Sequence, residues 1–200
     1  MKFIGVTGGV GAGKSCVLNY LLANYNCKVV YADDVAKALY VKGTRCYRRL
    51  VRLLGRDILN EEGNIDTKKM AAKIYADESL RLKVNGIVHP EVKREIFKDV
   101  RRTGREGRTE FFFLEAALLI EAGYKKYLDE LWYIYTDTEV RKMRLKASRG
   151  YSDEKTESII ASQLSDEQFR KNADFVIDNS GTEENTYRQI RERMSIRYGR

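Results

Sequence analysis

One segment constrains this chain more than any other: Gly8-Gly9-Val10-Gly11-Ala12-Gly13-Lys14-Ser15 satisfies G-x-x-x-x-G-K-[ST] between a strand pattern and a helix pattern. Lys2 to Thr7 reads as a short, largely apolar strand. Lys14 to Tyr25 carries apolar residues at Val17, Leu18, Leu21 and Leu22, the spacing of one helix face. Small residues at such a junction let backbone N–H groups turn inward around phosphate oxygens, and the helix N-terminus adds its partial positive charge. Lys14 then reaches the β- and γ-phosphates, and the Ser15 hydroxyl ligates Mg²⁺. A dinucleotide-type glycine turn is also readable in Gly9-Val10-Gly11, but Lys14-Ser15 outweighs it.

Further strand patterns run over Lys28 to Ala32, Thr109 to Leu114, Leu131 to Thr136 and Phe175 to Ile177, with helical patterns between them. This alternation implies an α/β fold with a mainly parallel sheet and helices on both faces. From about Thr44 to Arg105 the alternation stops, which predicts a helical insertion. Within it Asp66 suits the cap of a helix through Met70 and Ile74, and Pro90 the first turn of another through Val92, Ile96 and Val100. Gly104 and Gly107 then break the chain. Ser165 with Gln168 has capping-box spacing, and Thr182 to Arg197 reads as a closing helix.

Two hundred residues suit a single domain with appendages. The net charge of +8 favours anionic partners without choosing among nucleic acid, membrane and small phosphorylated ligands. Basic residues are interleaved with acids, so nucleic acid is not expected. No apolar run is long enough for a membrane span, and the chain enters MKFIGVTGG without a leader pattern. Cys16, Cys27 and Cys46 are odd in number and lack metal-ligand spacing. The expectation is a cytoplasmic protein with reduced thiols, a monomer or weak homo-oligomer.

The succession TGGVGAGKS, VVYADDVA, IVHPEV, LLIEAG, RLKASRGYS, IIASQ and ADFVIDNSG resembles the dephospho-coenzyme A kinase family from near the first residue to about Thr182, in order and spacing. The resemblance implies a P-loop kinase with a five-stranded parallel sheet, a helical acceptor-binding insertion and a mobile lid. The core would be about 1–43 and 108–200, the insertion about 44–107 and the lid about 144–172. It implies phosphorylation of the ribose 3′-hydroxyl of dephospho-coenzyme A, with ATP as donor and Mg²⁺ as cofactor. The chain departs from the family pattern at Tyr31-Ala32-Asp33, at Ala117-Leu118-Leu119-Ile120-Glu121, at Ser148-Arg149 and at Cys16. Rival readings are a nucleoside monophosphate kinase, which shares the loop and an arginine lid, and a nucleic-acid-binding NTPase.

Phosphoryl transfer asks mainly for alignment, charge stabilisation and removal of the acceptor proton. Asp33 follows a strand at the end where ligands of open α/β sheets gather, which makes it the candidate general base; a helix N-cap is the alternative. Asp34 is a cap or supporting group. Glu115 and Glu121 flank the third strand and suit a place near the metal, or ordinary ion pairing and capping. Lys14 and Arg144 are the candidates for stabilising charge, with Arg149 as a second lid arginine; Arg141 and Lys142 read as a solvated basic face. Gly9, Gly11, Ala12, Gly13, Lys14, Ser15 and Cys16 would surround ATP, and Asn179 and Gly181 match the family segment near adenine, where a simple turn is the alternative. His89, the only histidine, precedes Pro90 and is assigned to acceptor binding or local architecture. Lys93 and Arg94 would pair with the acceptor's pyrophosphate, or form a solvated face.

Overall fold

Nearly unbroken apolar runs such as Phe111–Glu115 and Glu130–Tyr135 suit strands covered on both faces. In the computed structural model, which describes residues 1–75 and 77–200, they do so within a five-stranded sheet. Its strands are β1 (Lys2–Thr7), β2 (Cys27–Tyr31), β3 (Phe111–Glu115), β4 (Glu130–Tyr135) and β5 (Phe175–Asp178), in the order β2-β3-β1-β4-β5. The pairs β3–β1, β1–β4 and β4–β5 are parallel. The chain divides into two units, Met1–Val29 with Gly107–Arg200, and Val30–Glu106.

In the first unit, α1 (Lys14–Asn24) buries Val17, Leu18 and Leu21 completely, worth about 1.5–3 kcal/mol each. Three helices follow β4: α6 (Thr138–Arg149), α7 (Asp153–Ala161) and α8 (Asp166–Asn172). The Ser165–Gln168 capping box starts α8 as expected, and α8 lays Phe169 on Tyr133 of β4 with ring centroids 4.6 Å apart. The closing helix α9 (Glu183–Tyr198) begins at the Thr182 cap. Its Arg193 and Arg197 reach buried Glu130 at 2.8 and 3.0 Å, and Trp132 Nε1 donates to the same carboxylate. Burial pushes that carboxylate up, but these hydrogen bonds leave it below its ordinary pKa.

The second unit is helical: α2 (Ala32–Ala38), α3 (Arg45–Leu54), α4 (Thr67–Tyr75) and α5 (Glu78–Glu106). Asp66 caps α4 as expected, its Oδ1 accepting from the N–H groups of Lys68 and Lys69. The expected helix start at Pro90 is corrected: Pro90 lies inside the 29-residue α5. A helix-interior proline costs about 3 kcal/mol. Burial of Val84, Ile87 and Val88 before it, and of Val92 and Ile96 after it, outweighs that cost at about 1.5–3 kcal/mol per side chain. Gly104 likewise sits within α5, and the break falls at Gly107, where φ is 67°.

Candidate active site

The loop after β1 curls because glycine stands where other residues would strain or collide. Gly11 and Gly13 hold φ of 78° and 81°, and a Cβ on Gly8 would lie 2.6 Å from the Ile134 carbonyl oxygen. Lys14 Nζ bends back over the loop, 2.9 Å from the Gly8 carbonyl oxygen and 3.4 Å from that of Gly9, and 3.5 Å from Glu115 Oε1 at the end of β3. Ser15 is exposed in the first turn of α1. Cys16 Sγ lies 3.5 Å from the Tyr187 hydroxyl, so the thiol packs against α9.

A polar scaffold supports the loop from behind. Thr136 Oγ1 and Asn179 Nδ2 both donate to the Ala12 carbonyl oxygen, at 2.9 and 2.8 Å, and Thr186 Oγ1 donates to Asn179 Oδ1 at 2.8 Å. All three residues are buried. Asn179, expected near adenine, thus commits its side chain to holding the loop, while Gly181 is exposed in the turn beyond it. Asn179→Ala should cost roughly 1–3 kcal/mol by leaving buried polar groups without their partner. Thermal melting of the variant checks this.

Arg144 Nη2 donates to the Asn179 carbonyl oxygen at 2.9 Å. Its buried Nη1 has no hydrogen-bond partner among the described residues, and it would lie 3.3 Å from a Cβ on Gly13. An unpartnered guanidinium nitrogen beside a glycine-rich loop at a helix N-terminus fits an anionic phosphate. Arg149 is exposed instead and lies over the Tyr151 ring at 5.8 Å, with Lys155 over the same ring at 3.9 Å. Glu121 is exposed in the turn after β3.

Arg141 corrects an expectation: it is no solvated cation. Its Nε donates to the Val10 carbonyl oxygen at 2.9 Å and its Nη2 to Gln163 Oε1 at 2.9 Å, and Gln163 Oε1 also accepts from the Val10 N–H at 3.2 Å. Burial holds the guanidinium below its ordinary pKa, with the nearby Tyr133 acting the other way. Helix charge patterning gives no sign of this role. The IIASQ motif carried a faint signal, because it set a glutamine at the end of a helix with no assigned partner.

Ser15, the residue expected to ligate Mg²⁺, follows Lys14 at the start of α1. Among the described residues no group of three or more His, Cys, Asp or Glu side chains could hold a metal ion. A divalent ion here would therefore complete its shell with phosphate oxygens and water, as Mg²⁺ commonly does.

In the second unit, Asp33 is exposed as the second residue of α2, and Asp34 pairs with Lys37 at 2.8 Å. His89 is exposed in mid-α5 and starts no helix. Lys93 stands one turn after it, whereas Arg94 is turned by about 100° onto another face. There Arg94 pairs with Glu91, a carboxylate only 4% exposed, which also faces Arg45 at 3.3 Å and Arg49 at 3.7 Å. Arg94 also reaches Glu95 at 3.6 Å, so two carboxylates stand among three guanidinium groups and the cluster stays net positive; neither Glu91 nor its two α3 arginines stands out in the sequence. Arg45 and Arg94 line a cavity of about 850 Å³ with Val35 and Leu39 of α2 and Lys98 and Arg101 of α5. Asp33 lies outside that lining.

A five-stranded α/β sheet, a glycine-rich G-K-S loop after its first strand and an arginine brought to that loop from a following helix together define a P-loop kinase. Among solved structures the chain resembles shikimate kinase from Acinetobacter baumannii in fold, with a TM-score of 0.53 at 15% identity over 100% of this chain and 96% of that one. It resembles TT1252 from Thermus thermophilus more closely, with a TM-score of 0.82 at 27% identity over 99% and 98%. The dephospho-CoA kinase family model matches residues 2–185. Relatives named dephospho-CoA kinase include one from Aquifex aeolicus, 39% identical over 96% of this chain and 95% of its own. Another, from Symbiobacterium thermophilum, is 35% identical over 95% and 79%. The chain belongs to the dephospho-CoA kinase family.

Proposed function

We propose that this chain transfers the γ-phosphoryl group of ATP to the ribose 3′-hydroxyl of dephospho-CoA, giving CoA and ADP, the last step of CoA biosynthesis. The observation that carries the phosphoryl-transfer reading is the pairing of the curled loop with the buried, unpartnered Arg144 Nη1 beside Gly13. Family membership supports the choice of acceptor. The loop N–H groups bind the donor's phosphates. Lys14 leaves its carbonyl partners for the β- and γ-phosphate oxygens, and Arg144 stabilises charge that develops on the transferred group. Asp33 takes the proton of the attacking hydroxyl. Mg²⁺, with Ser15 as its protein ligand, would neutralise charge on the β- and γ-phosphate oxygens. ATP consumption should be fastest with dephospho-CoA across a panel that includes nucleoside monophosphates. Faster turnover of a nucleoside monophosphate would overturn the acceptor and leave the kinase standing.

His89, Lys93 and Arg94 remain the proposed acceptor residues of the second unit, with Arg94 best placed because it lines the cavity. Arg94→Ala should raise KM for dephospho-CoA roughly tenfold or more, the scale of one lost charge-assisted hydrogen bond, and leave KM for ATP unchanged. Glu91 keeps Arg45 and Arg49 in the variant, so the fold should hold. Steady-state kinetics with each substrate varied in turn, beside a melting curve, decides the point. No helix among the described residues is long and apolar enough to cross a membrane. A cytoplasmic enzyme of small-molecule substrates, monomeric or weakly self-associating, accords with this reading.

A further inference from the structure

Val10 is the residue of the glycine-rich loop whose backbone is held at both ends by side chains from elsewhere in its unit. Arg141, on the first turn of α6, takes its carbonyl, and Gln163, in the turn between α7 and α8, takes its N–H. The two side chains also bond each other, so three hydrogen bonds close a ring through one residue of the loop. The ring explains Gly9, where a Cβ would collide with the Arg141 guanidinium.

From this ring we infer that Gln163 and Arg141 are positioning residues for ATP, holding the loop at Val10 in its phosphate-binding curvature. A glycine-rich loop has many accessible backbone states, and each state lost on binding weakens the observed affinity. Side chains that restrict the loop beforehand remove part of that cost. Gln163 is neutral and Arg141 already spends Nε and Nη2 within the ring, so their contribution is geometry at Val10. The ring also ties the α7–α8 turn to the loop. The inference goes beyond the proposed reaction, because it concerns donor affinity and needs no acceptor.

Calorimetric ATP binding without acceptor, paired with NMR hydrogen exchange at the Val10 amide, tests the ring. Gln163→Ala should weaken ATP binding about tenfold, the scale of one or two lost hydrogen bonds. The Val10 amide should exchange faster in the same variant, while KM for dephospho-CoA stays put. Arg141→Lys keeps the charge and loses the two-pronged contact, so it should show the same loss if geometry is what matters. The double variant should be no weaker than the worse single one, because both act through Val10. Unchanged ATP affinity in a folded Gln163→Ala protein would overturn the inference, as would additive losses in the double variant or a Val10 amide whose exchange does not change. Failure of the wild-type chain to bind ATP would overturn the functional reading itself.

Discussion

Lys14→Ala is expected to lower kcat by roughly 10²–10³-fold, the scale seen when one preorganised stabilising donor is removed from a transition state. The Lys14 side chain has partners it can exchange for phosphate. Its ammonium is parked 2.9 and 3.4 Å from two carbonyl oxygens of its own loop and 3.5 Å from Glu115. Carbonyl dipoles hold a cation weakly compared with phosphate, so the same side chain has an easy exchange available when a triphosphate arrives. The fold has little invested in it. A pair at 3.5 Å with both side chains less than a fifth exposed contributes on the order of 1 kcal/mol, which for a chain of this length moves the melting temperature by about 2–4 °C. Lys14→Arg keeps the charge but brings a longer planar group into a space shaped around one ammonium, so it should recover only part of the loss. A Lys14→Ala protein with native circular dichroism and near-native turnover would remove Lys14 from the chemistry.

The fold was legible because its signals are local. An apolar strand, four glycines and a G-K-S turn place β1, the loop and α1 within a residue of their observed bounds, and the Ser165–Gln168 box and the Thr182 cap mark helix starts correctly. Pro90 misleads for a physical reason: local backbone preference predicts a helix start there, while burial on both sides of it, invisible to local pattern, sustains one long helix. The site is legible where chemistry and position coincide, as at Lys14 and Ser15. It is obscure where a side chain works through the backbone of a distant segment. Arg141 differs from Lys142 in nothing a helical pattern can show, yet Arg141 enters the loop and Lys142 pairs with Glu139 and Glu157. Glu91 is a similar case, since a carboxylate in a charged helix gives no hint that it is buried among three arginines.

Asp33→Asn should reduce kcat by at least about 10²-fold and leave KM for ATP unchanged, which is the signature of a lost general base. Asparagine keeps the size of the side chain and its ability to accept a hydrogen bond, but it cannot take up the proton of an attacking hydroxyl. The competing account gives Asp33 a structural duty at the start of α2, and the geometry limits how large that duty is. Tyr31 occupies the N-cap position and makes no side-chain cap, so Asp33 does not cap the helix. As a first-turn acid it favours the helix dipole by about 0.3–1 kcal/mol. Asp34 stands in the same turn and carries the ion pair to Lys37. Asp33 is also exposed, so its replacement opens no cavity. The substitution should therefore cost less than about 1 kcal/mol of stability, a small effect beside a hundredfold loss of rate. A change confined to KM for dephospho-CoA would make Asp33 a substrate-placing residue. A fall in melting temperature with kcat intact would make it a helix residue only, and the base would have to be sought elsewhere.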